Sequence, residues 1–294
     1  MPWIQLTLSS DEAHARQLGD VLIANGAQAV TYRDGKDAPI FEPGPGEIQL
    51  WDHTLVTGLF DAAHDMRGLV KRLEQVKYLG KGFAFKTDPL EDKDWEREWM
   101  DNFKPIQFAS NLWVVPSWHQ APDPSAANIL LDPGMAFGTG THPTTALCLS
   151  WLAKQDLAGK TVVDFGCGSG ILGIAALKLG AARCVGIDID RQALIATREN
   201  AERNDVGDKF DVYLPSEQPT MAADIVVANV LAGPLQELSS VILGYVGEHG
   251  YLCMSGILSR QADDVMDAYQ PAIAFNPVTE QDEWVMLNGQ RVSA

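Results

Sequence analysis

The run Thr161 to Asp190, TVVDFGCGSGILGIAALKLGAARCVGIDID, constrains this chain more than any other stretch. Thr161 to Phe165 is short, β-branched and apolar, the kind of segment that lies buried on both faces of a parallel sheet. Gly166, Gly168 and Gly170 then alternate, clearing side chains from a turn where the backbone must reverse and a flat ligand can come close. That turn is expected to admit no Cβ on its ligand side, so that valine at Gly166 would clash with ligand. Gly170 opens a helical run, Ile171 to Leu179, closed by Gly180. A second strand, Arg183 to Ile187, ends in Asp188, which puts a carboxylate at the carboxyl edge of the sheet, where a ribose diol is held.

A bare GxGxxG is weak, and Gly168, Gly170 and Gly173 satisfy it. Asp164 discriminates. Nicotinamide and flavin cofactors bring a pyrophosphate to this turn, which an acid two residues before the first glycine would oppose. S-adenosylmethionine has no phosphate and carries an ammonium. The acid, the glycines and Asp188 together therefore favour a sulfonium cofactor, with a nucleotide oxidoreductase and a purely structural turn as the open alternatives.

At 294 residues the chain is long for one compact domain, which implies two. Cys148, Cys167, Cys184 and Cys253 are far apart and form no CxxC pair, so they read as reduced core residues of a cytoplasmic protein. The six histidines show no HxxxH or HExxH spacing, and no metal site is expected. Met1 to Leu8 lacks signal-peptide character, and Lys178 interrupts the longest apolar helix, so no membrane segment is expected. The net charge of −17 repels a phosphate backbone and attracts a basic protein partner; no direct nucleic-acid contact is expected.

Trp3 to Leu8 alternates like a strand, and Ser9 with Glu12 reads as the capping box of a helix running to about Ala24. Strands follow at Gln28 to Arg33 and Ile48 to Leu59, then a helix from Met66 to Leu79 and a strand from Phe83 to Lys86. The order βαββαβ is that of a small ferredoxin-like α+β domain. It holds no catalytic constellation, which makes residues 1–86 a recognition module. Pro89 is expected to break the last strand, and the charged run that follows, with Trp95 and Trp99 four apart on one face, reads as a linker helix over 87–104. Residues 105–294 form the remaining domain. Its later segments alternate: a helix from Asp190 to Asn204, strands at Phe210 to Leu214 and Asp224 to Val230, a helix from Leu235 to Val246 and a strand from Tyr251 to Ser255. A helix from Gln261 to Tyr269 and an antiparallel pair, Ala272 to Phe275 with Trp284 to Leu287, complete a doubly wound sheet.

Between the linker and the glycine turn lies DPGMAFGTGTHPTT, residues 132–145. Its glycines make a covering loop, and Pro143 sits where the first turn of a helix tolerates it, leaving free N–H groups for a carboxylate. This motif, DFGCGSGILGIAALKLGA and DIVVANVLAGPL, in this order behind a small amino-terminal domain, closely resemble the PrmA family, the bacterial methyltransferases of ribosomal protein L11. The resemblance covers essentially the whole chain. It implies a ferredoxin-like recognition domain, a linker helix and a Rossmann-like class I methyltransferase domain. It further implies S-adenosylmethionine as methyl donor and, as substrate, the α-amine and lysine ε-amines of L11, a basic protein met before its assembly. Cofactor contacts carried over from the family fall on Thr145, Gly166, Asp188 and Asn229, with Phe137 and Gly138 in the covering loop; Asp164 and Gly168 belong to the same turn. Asn229 stands where many amine methyltransferases have Asn-Pro-Pro-Tyr, but continues Val230, Leu231, Ala232, which leaves a more open site for mobile primary amines. It is expected to orient the amine, with water taking the proton. Two rival readings are an RNA or small-molecule methyltransferase of the same fold and a non-catalytic nucleoside-binding module.

Overall fold

The computed structural model describes residues 3–36, 50–79, 83–90, 103–132 and 142–292. The chain divides into two compact units, Met1–Met100 and Asp101–Ala294.

The first unit runs β1 (Trp3–Ser10), α1 (Glu12–Ala24), β2 (Ala29–Asp34), β3 (Thr54–Asp61), α2 (Met66–Leu73) and β4 (Phe85–Leu90), in an antiparallel sheet of order β2-β3-β1-β4. This is the ferredoxin-like arrangement. Leu6 and Leu8 alternate along β1 towards Leu18 and Leu22 of α1 and Leu69 and Leu73 of α2, forming one apolar cluster. The expected capping box gives way to a different cap. Ser9 and Ser10 pair with Leu55 and Thr54 inside the sheet, and Asp11 caps α1 by accepting from the His14 N–H at 2.9 Å. Pro89 does not break its strand; it pairs opposite Ile4 in β4, an edge strand where a missing N–H costs no ladder bond. The strand therefore runs past the expected boundary at residue 86. Helix α2 stops at Leu73, well short of Leu79, and β3 starts only at Thr54. The expected linker helix, with Trp95 and Trp99, lies outside the described residues.

In the second unit, β5 (Ile106–Ala109), β6 (Leu112–Val115) and β7 (Ala127–Leu130) make a three-stranded sheet. There follow α3 (Pro143–Leu152), β8 (Thr161–Phe165), α4 (Ile171–Lys178), β9 (Arg183–Ile187), α5 (Arg191–Arg203), β10 (Phe210–Tyr213) and β11 (Ala223–Asn229). The chain ends with α6 (Ala232–Glu237), α7 (Ser239–Tyr245), β12 (Val246–Leu258), α8 (Ala262–Tyr269), β13 (Ile273–Phe275), β14 (Thr279–Gln281) and β15 (Trp284–Arg291). The expected single helix over 235–246 is thus two, because Leu238 (φ −98°, ψ 12°) leaves helical geometry. The strand expected at Tyr251 to Ser255 is longer, and forms β12.

The main sheet has the order β10-β9-β8-β11-β12-β15-β13, with β14 paired to β15. Strands β8 to β12 are parallel and β15 runs antiparallel to β12 and β13. Adjacent residues of a strand face opposite ways, so Val162, Cys184 and Val227 join one core with α3 and α4, while Val163, Val185 and Val226 join another with α6, α7 and α8. Strands β8, β9 and β11 are buried on both faces, which is why the sequence reads there as apolar runs rather than alternation. This is the Rossmann-like class I methyltransferase sheet. All four cysteines are free and buried. Among the described residues no helix is long and apolar enough to cross a membrane, and no cluster of His, Cys, Asp and Glu could hold a metal ion.

Candidate functional site

Strand order reverses at β8, whose neighbours β9 and β11 lie on opposite sides, and the crevice at the carboxyl ends of such strands is where open α/β sheets hold ligands. A cavity of about 740 Å³ opens there, lined by Gly166, Gly168, Asp188 and Asn229 among others, a volume suited to a nucleoside-sized ligand.

The glycine turn is pinned to β9: the N–H groups of Gly166 and Cys167 both donate to the Ile187 carbonyl, at 2.7 and 3.1 Å. Gly166 has φ +74°, and a Cβ on it would lie 2.3 Å from Val230 Cγ1. The left-handed backbone and the packing of Val230 on the turn therefore already require glycine at this position, before any ligand is considered. Gly168 donates to Asp188 Oδ2 at 2.9 Å, and the Asp190 N–H donates to Oδ1 at 2.9 Å. These bonds fix the Asp188 carboxylate in a half-buried position and leave each oxygen a lone pair for a hydroxyl.

Asp164 is buried, at 1% exposure, and lines the cavity from below the turn. The cap residue of α4 is Gly170, which has no side chain to offer; Asp164 Oδ2 instead accepts from the Gly173 N–H at 2.9 Å, satisfying one of the helix's orphan donors. Burial pushes its carboxyl up to about 7, with the Asp188 charge adding to the rise and the Gly173 bond opposing it. The anion expected at this position thus carries full charge only above neutrality. Cys167, also on the cavity wall, is no nucleophile, because burial and the neighbouring Asp164 push its thiol far up.

On the opposite flank, α3 begins at Pro143 with His142 as its cap. His142 Nδ1 accepts from the Thr144 N–H at 3.4 Å and lies 2.8 Å from Thr144 Oγ1, while its ring meets Trp284 edge-on at 4.9 Å between centroids. Burial lowers the pKa of His142, which favours the neutral ring that this cap requires. Thr145 is fully buried, and Asn229 Nδ2 donates to its Oγ1 at 3.1 Å. The fold thus joins residues 84 positions apart at the end of β11. Phe137 and Gly138 lie outside the described residues.

The structure brings Thr145, Asp164, Gly166, Gly168, Asp188 and Asn229 to one cavity. Sequence reasoning missed His142, Gln218, Gly256 and Trp284 on its wall. His142 was signalled by its place before a helix-opening proline; the other three carry no local signal.

The family model described as Ribosomal protein L11 methyltransferase (PrmA) matches residues 2–292. A ribosomal protein L11 methyltransferase of Idiomarina loihiensis is 64% identical over 292 residues, spanning 99% of this chain and 100% of that protein. One of Alteromonas mediterranea is 58% identical over 291 residues, with 99% and 100% spanned. The crystal structure of a ribosomal protein L11 methylase from Lactobacillus delbrueckii subsp. bulgaricus is 31% identical with a TM-score of 0.58, spanning 64% of this chain and 99% of that one.

Proposed function

The chain belongs to the ribosomal protein L11 methyltransferase family, and on that premise we propose that it transfers methyl groups from S-adenosylmethionine to the α-amine and lysine ε-amines of L11. The observation that carries the cofactor is the constrained Asp188 carboxylate beside a glycine turn with a buried acid beneath it. These residues fit the group: Asp188 would hold the ribose hydroxyls, the start of α3 its carboxylate, and Asp164 would favour its ammonium.

S-adenosylmethionine, when bound, supplies an electrophilic methyl on a sulfonium that is its own leaving group. The protein's part is alignment. A lysine ammonium, with pKa about 10.4, must lose its proton before attack, and desolvation in a largely apolar cavity lowers that value. Asn229 spends its Nδ2 on Thr145, which leaves Oδ1 to accept from the amine N–H and turn the nitrogen lone pair towards the methyl. An amine held this way would be aimed for the displacement that the bound sulfonium would supply, and its proton would pass to water.

The substrate is a basic protein, met free before its assembly, and the net charge of −17 favours its approach while opposing RNA. Labelled methyl transfer to purified L11, to ribosomal RNA and to free amino acids tests this reading. Label in the α-amine and lysines of L11 alone is expected; label in RNA alone would overturn it.

A further inference from the structure

Among the described residues α5 contributes none to the cavity wall, yet its polar side chains reach the glycine turn. Thr197 is fully buried, and its hydroxyl donates to the Gly168 carbonyl at 3.0 Å. Asn200 Nδ2 donates to the next carbonyl, that of Ser169, at 2.9 Å. Asp190, the cap of α5, lies about two helical turns before Thr197 and so on the same side of the helix. Its N–H donates to Asp188 Oδ1, while Asp188 Oδ2 accepts from the N–H of Gly168. One helix therefore holds both oxygens of that carboxylate, Oδ1 directly from its cap and Oδ2 through Gly168.

We infer that Thr197 is a positioning residue for the ribose of the bound cofactor, acting through Gly168 on the Asp188 carboxylate. This rests on the reading of the site as one for S-adenosylmethionine, with Asp188 on its ribose. Gly168 has φ +54° and no side chain, so nothing in the residue itself fixes its two peptide planes. Bonds at both ends do so: its N–H is engaged by Asp188 and its carbonyl by Thr197. Without the hydroxyl the carbonyl loses its donor, the peptide is free to turn, and the N–H at the other end of the residue turns with it. A threonine inside a helix can aim its hydroxyl back at a carbonyl of the preceding turn; this one ties α5 to the glycine turn instead. Its other polar neighbour, Cys167 Sγ at 3.4 Å, is a weak partner for a hydroxyl. The Thr197 methyl has a different role. It lies 2.8 Å from where a Cβ on Gly170 would stand, and so packs against the start of α4. Substitution can separate the two halves: valine keeps the methyl and removes the donor, and serine keeps the donor and removes the methyl.

The test is calorimetric and reads the ribose alone. S-adenosylhomocysteine and its 2′,3′-dideoxy analogue are titrated into the full wild-type chain and into Thr197→Val, Thr197→Ser and Asn200→Ala. The wild-type chain should prefer the ligand with hydroxyls on the order of 10- to 100-fold, as expected for one or two charge-assisted bonds. Thr197→Val should reduce that preference by about 3- to 10-fold, because the carboxylate loses its fixed aim, and Thr197→Ser should keep it. Asn200→Ala, which removes the bond to Ser169 and leaves that to Gly168, should weaken both ligands alike. An unchanged preference in Thr197→Val overturns the inference. So does a preference that falls equally in Asn200→Ala, since any loosening of the turn would then suffice. If the valine variant does not fold, Thr197→Ala removes the same donor and takes its place in the comparison. Equal binding of the two ligands by the wild-type chain would overturn the ribose role of Asp188 and this inference with it. Failure of S-adenosylhomocysteine itself to bind the wild-type chain would instead overturn the cofactor reading on which both rest.

Discussion

The two units of this chain are both layered α/β structures, but their interiors hold different things. In the four-stranded unit the only described polar residues in the buried set are Thr54 and Thr57, and both are satisfied locally: Thr57 Oγ1 lies 2.9 Å from Thr7 Oγ1 across the β1–β3 pair, and Thr54 Oγ1 donates to the Trp51 carbonyl at 2.6 Å. In the other unit the buried set includes Thr144, Thr145, Asp164, Ser169 and Ser255, gathered near the carboxyl edge of the main sheet. Burying a carboxylate costs far more than burying leucine. Such groups are retained where the chemistry needs them, and the topology decides where that is. A parallel sheet whose strand order reverses leaves a crevice at its switch point, while the antiparallel order β2-β3-β1-β4 fills its helix-covered face with leucine. The cavity sized for a small ligand thus lies within the second unit, and the proposal assigns recognition of L11 to the surface of the first.

The strongest way to break that contrast is to separate the units. Residues 101–294 alone should bind S-adenosylmethionine with nearly full affinity and lose most methylation of L11, by about 100-fold or more, as the recognition surface and its effective concentration are gone. Mass spectrometry of the product at the normal rate and full set of sites would show that recognition lives in the catalytic unit. A smaller effect is expected inside the cavity. Asp188→Ala should remove one or two charge-assisted bonds to the ribose, lowering cofactor affinity on the order of 10- to 100-fold by calorimetry; unchanged affinity in a folded variant would sink the assignment.

The buried acid sharpens the contrast through pH. The folded state holds the Asp164 proton up to about pH 7, whereas an unfolded chain releases it near 3.8, so between these values the folded state binds more protons. Stability from this group therefore falls as pH rises from about 4 to about 7. Asp164→Asn keeps an acceptor for the Gly173 N–H and has nothing to titrate. The wild-type chain should lose about 1 kcal/mol relative to that variant between pH 5 and pH 6, read from urea unfolding of the second unit. Parallel curves would mean that the carboxyl is not held protonated. The smallest effect belongs to the first unit. Asp11→Ala removes the cap of α1 and should destabilise that unit by about 0.5 to 1 kcal/mol, with cofactor affinity unchanged. A loss of affinity would show that the two interiors are coupled.

Much of this was legible in the sequence. The bounds of β8 and β9 match the apolar runs read there, and the turn between β8 and α4 falls on the three glycines, because a doubly buried strand and a glycine turn are dictated by residues adjacent in the chain. Pairing Asp188 with that turn needed only the spacing of one βαβ unit. Where the reading failed, the competing force came from a distance. Ser9 lost its capping role because β3 claimed it, and Pro89 kept its strand because β4 is an edge strand among the described residues. A Cβ at Gly166 would meet Val230, a residue far off in sequence, and the partner of Asn229 is Thr145. Asp164 could be recognised as an acid by its place before the glycines, but its raised pKa exists only because two layers of helix exclude water from β8. Local periodicity and backbone preference wrote the elements into the sequence; side-chain burial, and with it the charge on Asp164, depends on which distant segments close over it, and no window along the chain contains that.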